Sequence, residues 1–279
     1  MSKLKRKFLV VCLFCFSFLL VMSCSDKNDN PVDSGSDKVE QYMAIGNTAT
    51  FAQTGFENVL GVDVPIPDSN YSLTRNILST ENKNYKFQFV DAATGKVVRT
   101  NTLTISGSQI LSDLNLDLNV MGAGINLAIP NFPLLDLNTV ESKNLLDSTI
   151  KYKLDASTLM QSIPAGTIMI NIDIQLTSKL INNGAKTFAL NGENIEVVSY
   201  TTENKFTATI NDPLAQQFMP EYNNKLVASG SYENENYFSA KNHLGIVQQT
   251  EKYLIHNELI GADIMNQKIV RKMVSYTEK

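Results

Sequence analysis

The sequence predicts an all-β protein, an antiparallel curved sheet or sandwich with one or two short helices. Three observations predict it. Apolar residues recur at a period of two, turn residues break that period at short intervals, and helix candidates are few and brief. In residues 168–176 every even position is aliphatic, and from Asn171 the odd positions are polar. Such a strand buries one face, and β-branched isoleucine favours it. Residues 85–89, 114–120 and 206–210 repeat the pattern. The breaks fall at residues 91–95, at Ser106-Gly107, at Asn182-Asn183-Gly184 and at Asn191-Gly192. Asn-Gly pairs suit hairpins because both turn positions take positive φ at low cost. Closely spaced hairpins give antiparallel sheets rather than βαβ units. One short helix is predicted over residues 212–219, where Asp212 caps, Pro213 starts and Pro220 stops it. A second candidate covers residues 157–162, before Pro164.

The start of the chain reads as an address. Lys3, Lys5, Arg6 and Lys7 precede a run over residues 8–22 that is apolar except at Ser17. The run is shorter than the ~20 residues needed to span a bilayer, so it reads as a secretory signal. Val21-Met22-Ser23-Cys24 resembles the bacterial lipobox, in which the cysteine is acylated and becomes the first residue. More than one acyl chain on Cys24 would hold the protein stably on a membrane. The polar stretch after it has too few apolar residues to build a core and is expected to be a flexible tether. That stretch loosely resembles the acidic export signal of Bacteroidetes surface lipoproteins. The expected organisation is a signal peptide over 1–23 and an acylated cysteine with its tether over 24–44. A β region over 45–145 and another over 146–279 follow, the two able to form one domain. The expected location is the outer membrane or cell surface.

Composition narrows the function. Loss of the four basic residues of the signal takes the formal charge from −4 to −8, which argues against a nucleic-acid partner. Cys12 and Cys15 leave with the signal, so an acylated Cys24 leaves no thiol for a disulfide, a nucleophile or a metal. There is no tryptophan to stack on sugars. The only histidines, His243 and His256, lie in no metal-binding spacing and read as surface residues. No nucleophile motif or phosphate loop occurs, and scattered carboxylates such as Asp173, Glu193 and Glu196 read as solvated. The expectation is a protein without enzymatic activity, cofactor or metal.

Residues 121–135 stand apart. The stretch is apolar, carries Gly122 and Gly124, is stopped by Pro130 and Pro133, and holds no charge. It reads as a buried strand with an edge connection, or as an apolar lining that meets a lipid-like ligand or an envelope partner. Leu127, Ile129, Phe132 and Leu134 are its candidate interaction residues. Two further signatures lie in the second half. Ile163-Pro164-Ala165-Gly166-Thr167 precedes a strand, and residues 237–249 (YFSAKNHLGIVQQ) read as a hairpin. Together they resemble the TapB-like family of bacterial envelope proteins over residues 160–279, with Ile168 and Phe238 departing from its usual aromatic residues. The resemblance implies a curved antiparallel sheet and brings no catalytic residue. The function expected is a membrane-anchored envelope lipoprotein that binds a hydrophobic ligand or an envelope partner. The alternative is a fimbrillin-like or adhesin-like structural subunit, which would exchange an edge strand.

Overall fold

The computed structural model describes residues 35–42, 48–81, 83–120, 123–158, 164–218 and 220–277. A short helix α1 (Gly35–Glu40) leads into β1 (Thr48–Val59), β2 (Val62–Pro65), β3 (Tyr71–Glu81), β4 (Asn84–Asp91), β5 (Val97–Ser106), β6 (Gln109–Val120) and β7 (Ala123–Asp136). The second half holds β8 (Ser142–Asp155), β9 (Met169–Leu190), β10 (Glu193–Ile210), helix α2 (Pro213–Phe218), β11 (Leu226–Ser239), β12 (Gly245–Asn257) and β13 (Ala262–Thr277).

All the strands join one antiparallel sheet in the order β7-β6-β5-β4-β3-β1-β13-β12-β11-β10-β9-β8, with β2 paired to β1. Two meanders run outward from the central β1–β13 pair. Their far edges, β7 and β8, are nevertheless joined by the short link 137–141, so the sheet has to curl. Asn182 of β9 ties that link down, its N–H donating to Glu141 O at 2.8 Å and its Nδ2 to Thr139 O at 2.8 Å. Pro130 and Pro133 suit an edge strand, since among the described strands β7 has no second neighbour to receive an N–H.

The curl makes the two expected β regions one body. The boundary placed at 145/146 falls inside β8, and residues 35–279 form a single compact unit. One apolar cluster takes Ile170, Ile172, Ile174 and Leu176 from β9, the residues the alternation assigns to a buried face. Burying each stabilises the fold by roughly 1.5–3 kcal/mol relative to exposure. A second cluster sets Ile77, Phe87, Leu103 and Ile110 against Leu180, Tyr200 and Phe238, so the two meanders share a core.

Local signals are followed closely at most turns. Asn191 and Gly192 take φ of 51° and 83° between β9 and β10. Asp91 Oδ1 accepts the N–H groups of Ala93 and Thr94. The Pro164-Ala165-Gly166 turn is present, with Gly166 at φ 76°. Asp212 caps α2 by accepting Leu214 N–H at 2.7 Å.

Three expectations are corrected. Asn182-Asn183-Gly184 does not end a strand. It is a β-bulge inside β9, where Ser199 faces Gly184 and Tyr200 faces Asn182, leaving Asn183 as the extra residue. Gly184 supplies the positive φ, 79°. Across the bulge the buried positions of β10 change from odd (Ile195, Val197) to even (Tyr200, Phe206, Ala208). The hairpin tip thus packs its other face against β1, β3, β12 and β13.

The tether expected over 24–44 is overturned for residues 35–42. They form α1 and a turn, with Val39 and Tyr42 buried among the second cluster. Val39 lies in the helix and Tyr42 in the turn that follows it, and two apolar residues in a polar stretch are hidden by average polarity. The second helix candidate is also corrected. A 3-10 turn covers Ala156–Thr158, and residues 159–163 lie outside the described residues.

Candidate ligand cavity

β-Bulges aim the apolar stretch of β7. Between Ser112 and Leu114 the partner of Phe132 shifts to Ser112 while Ile129 faces Leu114, and Asn131 takes φ 57° with its N–H on Asp113 Oδ1. A second irregularity, between Ile110 and Leu111, lies opposite Leu134. Phe132 is 4% exposed and, with Leu134, lines a cavity of about 120 Å³ inside the curl. Phe51, Phe87, Phe89, Leu103, Leu114 and Ile246 add to its apolar wall. Ile129 packs instead against the β9–β11 cluster. The side chain of Leu127 lies outside the described residues, and Cys24 does too. The structure therefore brings Phe132 and Leu134 together on one cavity and places Ile129 elsewhere.

The opposite wall is polar, and its register explains how. β10, β11 and β12 align Thr202 with Asn234 and Asn234 with Glu251. One row further, Asn236 pairs with Gln249, Gln249 with Arg271, and Arg271 with Gln53. Each of these side chains is buried or half-buried. Arg271 holds the row together, donating from Nε to Gln53 Oε1 at 2.7 Å, and from Nη1 to Gln249 Oε1 at 2.8 Å and to Glu251 Oε2 at 2.7 Å. Arg99, half exposed at the mouth, reaches Glu251 Oε1 at 3.6 Å. Burial pushes the Glu251 carboxyl up, but Arg271 and Arg99 outweigh it and hold the carboxyl below its ordinary value. Burial, reinforced by the charge of Glu251, pushes the Tyr253 hydroxyl up to about 12 and raises that of Tyr232 well above its ordinary value. A second cavity of about 290 Å³ adjoins the first, sharing Asn115, Asn204, Tyr232 and Tyr253.

This wall carries the residues that reading the sequence passes over. Period two marks polar positions as wet, whereas Thr202 and Asn204 share the parity of Phe206, Ala208 and Ile210. Polar residues on the apolar parity are the signal that would have found them.

Among the described residues of the cavity, the one hydroxyl that donates to a carboxylate is that of Tyr232, to Glu251 Oε1 at 3.3 Å, and no histidine lines the wall. The histidines stand apart from the cavity: His243 Nδ1 lies 2.9 Å from Gln41 O, and His256 Nδ1 lies 2.8 Å from Asp263 Oδ1. Among the described residues no group of three or more His, Cys, Asp or Glu side chains could hold a metal.

No protein-family model and no curated protein matches the sequence, so the resemblance to the TapB-like family has no matching family model behind it. Three of the solved structures that align with the chain share 8–10% of its sequence. One, described as a lipoprotein of Parabacteroides distasonis, aligns with a TM-score of 0.34 and 8% identity over 83% of this chain and 97% of its own. The lipoprotein YmcC of Escherichia coli K12 aligns with a TM-score of 0.30 and 10% identity over 92% of this chain and all of its own. An exported protein of Bacteroides fragilis with a YmcC-like fold aligns with a TM-score of 0.30 and 10% identity over 85% of this chain and 97% of its own.

Proposed function

We propose that this chain is a non-catalytic, lipid-anchored protein of the bacterial envelope whose curled sheet holds a small hydrophobic ligand. The observation that carries the binding role is the cavity formed by Phe132 and Leu134 with Phe51, Phe87, Leu103 and Leu114. An apolar wall facing a few placed polar groups is the composition of a small-molecule site. The anchoring role rests on the lipobox-like Val21-Met22-Ser23-Cys24, with acyl chains on Cys24 holding the protein to the outer membrane or the cell surface. The cavity lies wholly within residues 35–279, so residues 25–279 keep the whole site without the anchor. Calorimetric titration of that chain with eight-carbon alkyl probes (anionic, neutral and cationic) tests the binding role. One-to-one binding of at least one probe is expected. Failure of all three to bind overturns the proposal.

A second reading, docking of an envelope partner, is favoured by the β1–β2 arm. Its Val59, Leu60, Val62 and Val64 are exposed, Leu60 fully so. Cross-linking in whole cells through a photoreactive residue at position 60 tests it: a discrete adduct supports docking, and a monomer band alone refutes it.

A further inference from the structure

We propose that the ligand of this cavity is an organic carboxylate, an anion with an apolar body, whose carboxylate faces Arg75. The inference rests on the ligand-cavity reading above and names the chemistry of its ligand. Arg75 lines the cavity from β3 and is 2% exposed. Its guanidinium lies over the rings of Phe51 and Phe87, 5.2 and 5.8 Å from their centres. Nη1 donates to Ile246 O at 2.9 Å and Nη2 to Leu244 O at 2.7 Å. Nε is buried without a partner. Among the described residues no carboxylate lies within ion-pair distance of this side chain. Two carbonyl dipoles are not a counter-charge, and a buried charge without one is costly.

Among the described residues, no anion is placed to pair with Arg75. Glu251 is already shared by Arg271 and Arg99. Asp113, the carboxylate in the lining, is exposed and accepts Asn131 N–H. Among the described residues, three guanidiniums therefore line the cavity against one carboxylate in its lining and one behind it. Thr202 Oγ1, buried in the same lining, also lacks a partner. Burial draws the Arg75 guanidinium down to about 10, which still leaves it charged at neutral pH.

Size limits the ligand. A cavity of about 120 Å³ compares with the roughly 150 Å³ that admits benzene. It has room for a carboxylate and the first carbons of its body, and the adjoining cavity beyond Tyr232 and Tyr253 takes the rest. The planar fork of arginine matches a carboxylate, and the phenylalanine rings match the apolar body.

The test uses residues 25–279 titrated with octanoate, octan-1-ol and octylammonium in detergent-free buffer. Octanoate is expected to bind about tenfold or more tighter than octan-1-ol, in line with the worth of a charge-assisted hydrogen bond, and octylammonium weakest. Arg75→Met should abolish the preference for octanoate while leaving the affinity for octan-1-ol within about threefold, the scale of a change that spares the apolar contacts. The three-probe comparison on the unaltered chain stands whether or not that variant folds. If octan-1-ol binds as tightly as octanoate, the carboxylate inference is overturned and the apolar cavity reading survives. If no probe binds, both fall.

Discussion

Replacing Tyr42 with alanine tests whether the segment before β1 is part of the folded body. The ring is 7% exposed and meets Phe238 edge-on, the centroids 6.3 Å apart at 78°. Truncating a buried aromatic residue to alanine costs about 3–5 kcal/mol in a rigid core. Here the lower end applies, about 3 kcal/mol, because a six-residue helix at the start of the body can shift to fill the gap. The same freedom sets a ceiling. A helix this short has no stability of its own, so once its anchors fail it undocks and further damage costs nothing more. Val39→Ala should therefore cost less in a Tyr42→Ala background than alone. Removing residues 25–42 should cost at least as much as Tyr42→Ala. The ion pair of Glu40 with Lys83, at 2.8 Å but largely exposed, adds little. Urea unfolding followed by far-UV circular dichroism gives the free energies from midpoints at constant m. A Tyr42→Ala variant within 0.5 kcal/mol of the parent would refute the docking of α1.

Glu251→Gln should cost roughly 3–5 kcal/mol, because it leaves the largely buried Arg271 without its charge partner. Asp136 should make stability acid-sensitive: burial pushes its carboxyl up, but donors from Gln109, Asn138, Ser108 and Lys143 bring it below its ordinary value. With folded values of Asp136 and Glu251 below the unfolded ones of roughly 4, their contribution is complete above that pH and lost as pH falls through the folded values. Unfolding free energy measured between pH 5 and 3 should drop, and less steeply in Glu251→Gln. An unchanged slope would count against the ion-pair network. Leu60→Ser, at a fully exposed tip, should shift stability by no more than about 0.5 kcal/mol. Mass spectrometry of the full chain recovered from bacterial membranes should find Cys24 acylated as the first residue, and an unmodified Cys24 or cleavage elsewhere would remove the anchor.

How much was legible depended on how local the signal was. The β9 alternation and the Asn191-Gly192 hairpin are written in adjacent residues, and both stand in the structure. The Asn182-Asn183-Gly184 bulge uses the same residues as a turn, and only pairing with Ser199 and Tyr200 distinguishes the two. The apolar stretch of β7 showed its own break in parity. Ile129 and Phe132 are three apart, an odd step that a bulge at Pro130-Asn131 absorbs. What no local pattern could show was the cavity's other wall. Arg75 and Ile246 are 171 residues apart in sequence and meet only because the sheet curls. Likewise Gln53 reaches Arg271 only through the pairing of β1 with β13.

The most direct test of the cavity as a ligand site is methyl NMR of residues 25–279 labelled at Leu and Ile and titrated with octanoate. The account predicts shifts at Leu103, Leu114, Leu134 and Ile246, which line the cavity, and none at the exposed Leu60 and Ile260. Silent cavity methyls at saturating octanoate, or shifts confined to Leu60 and Ile260, would contradict it.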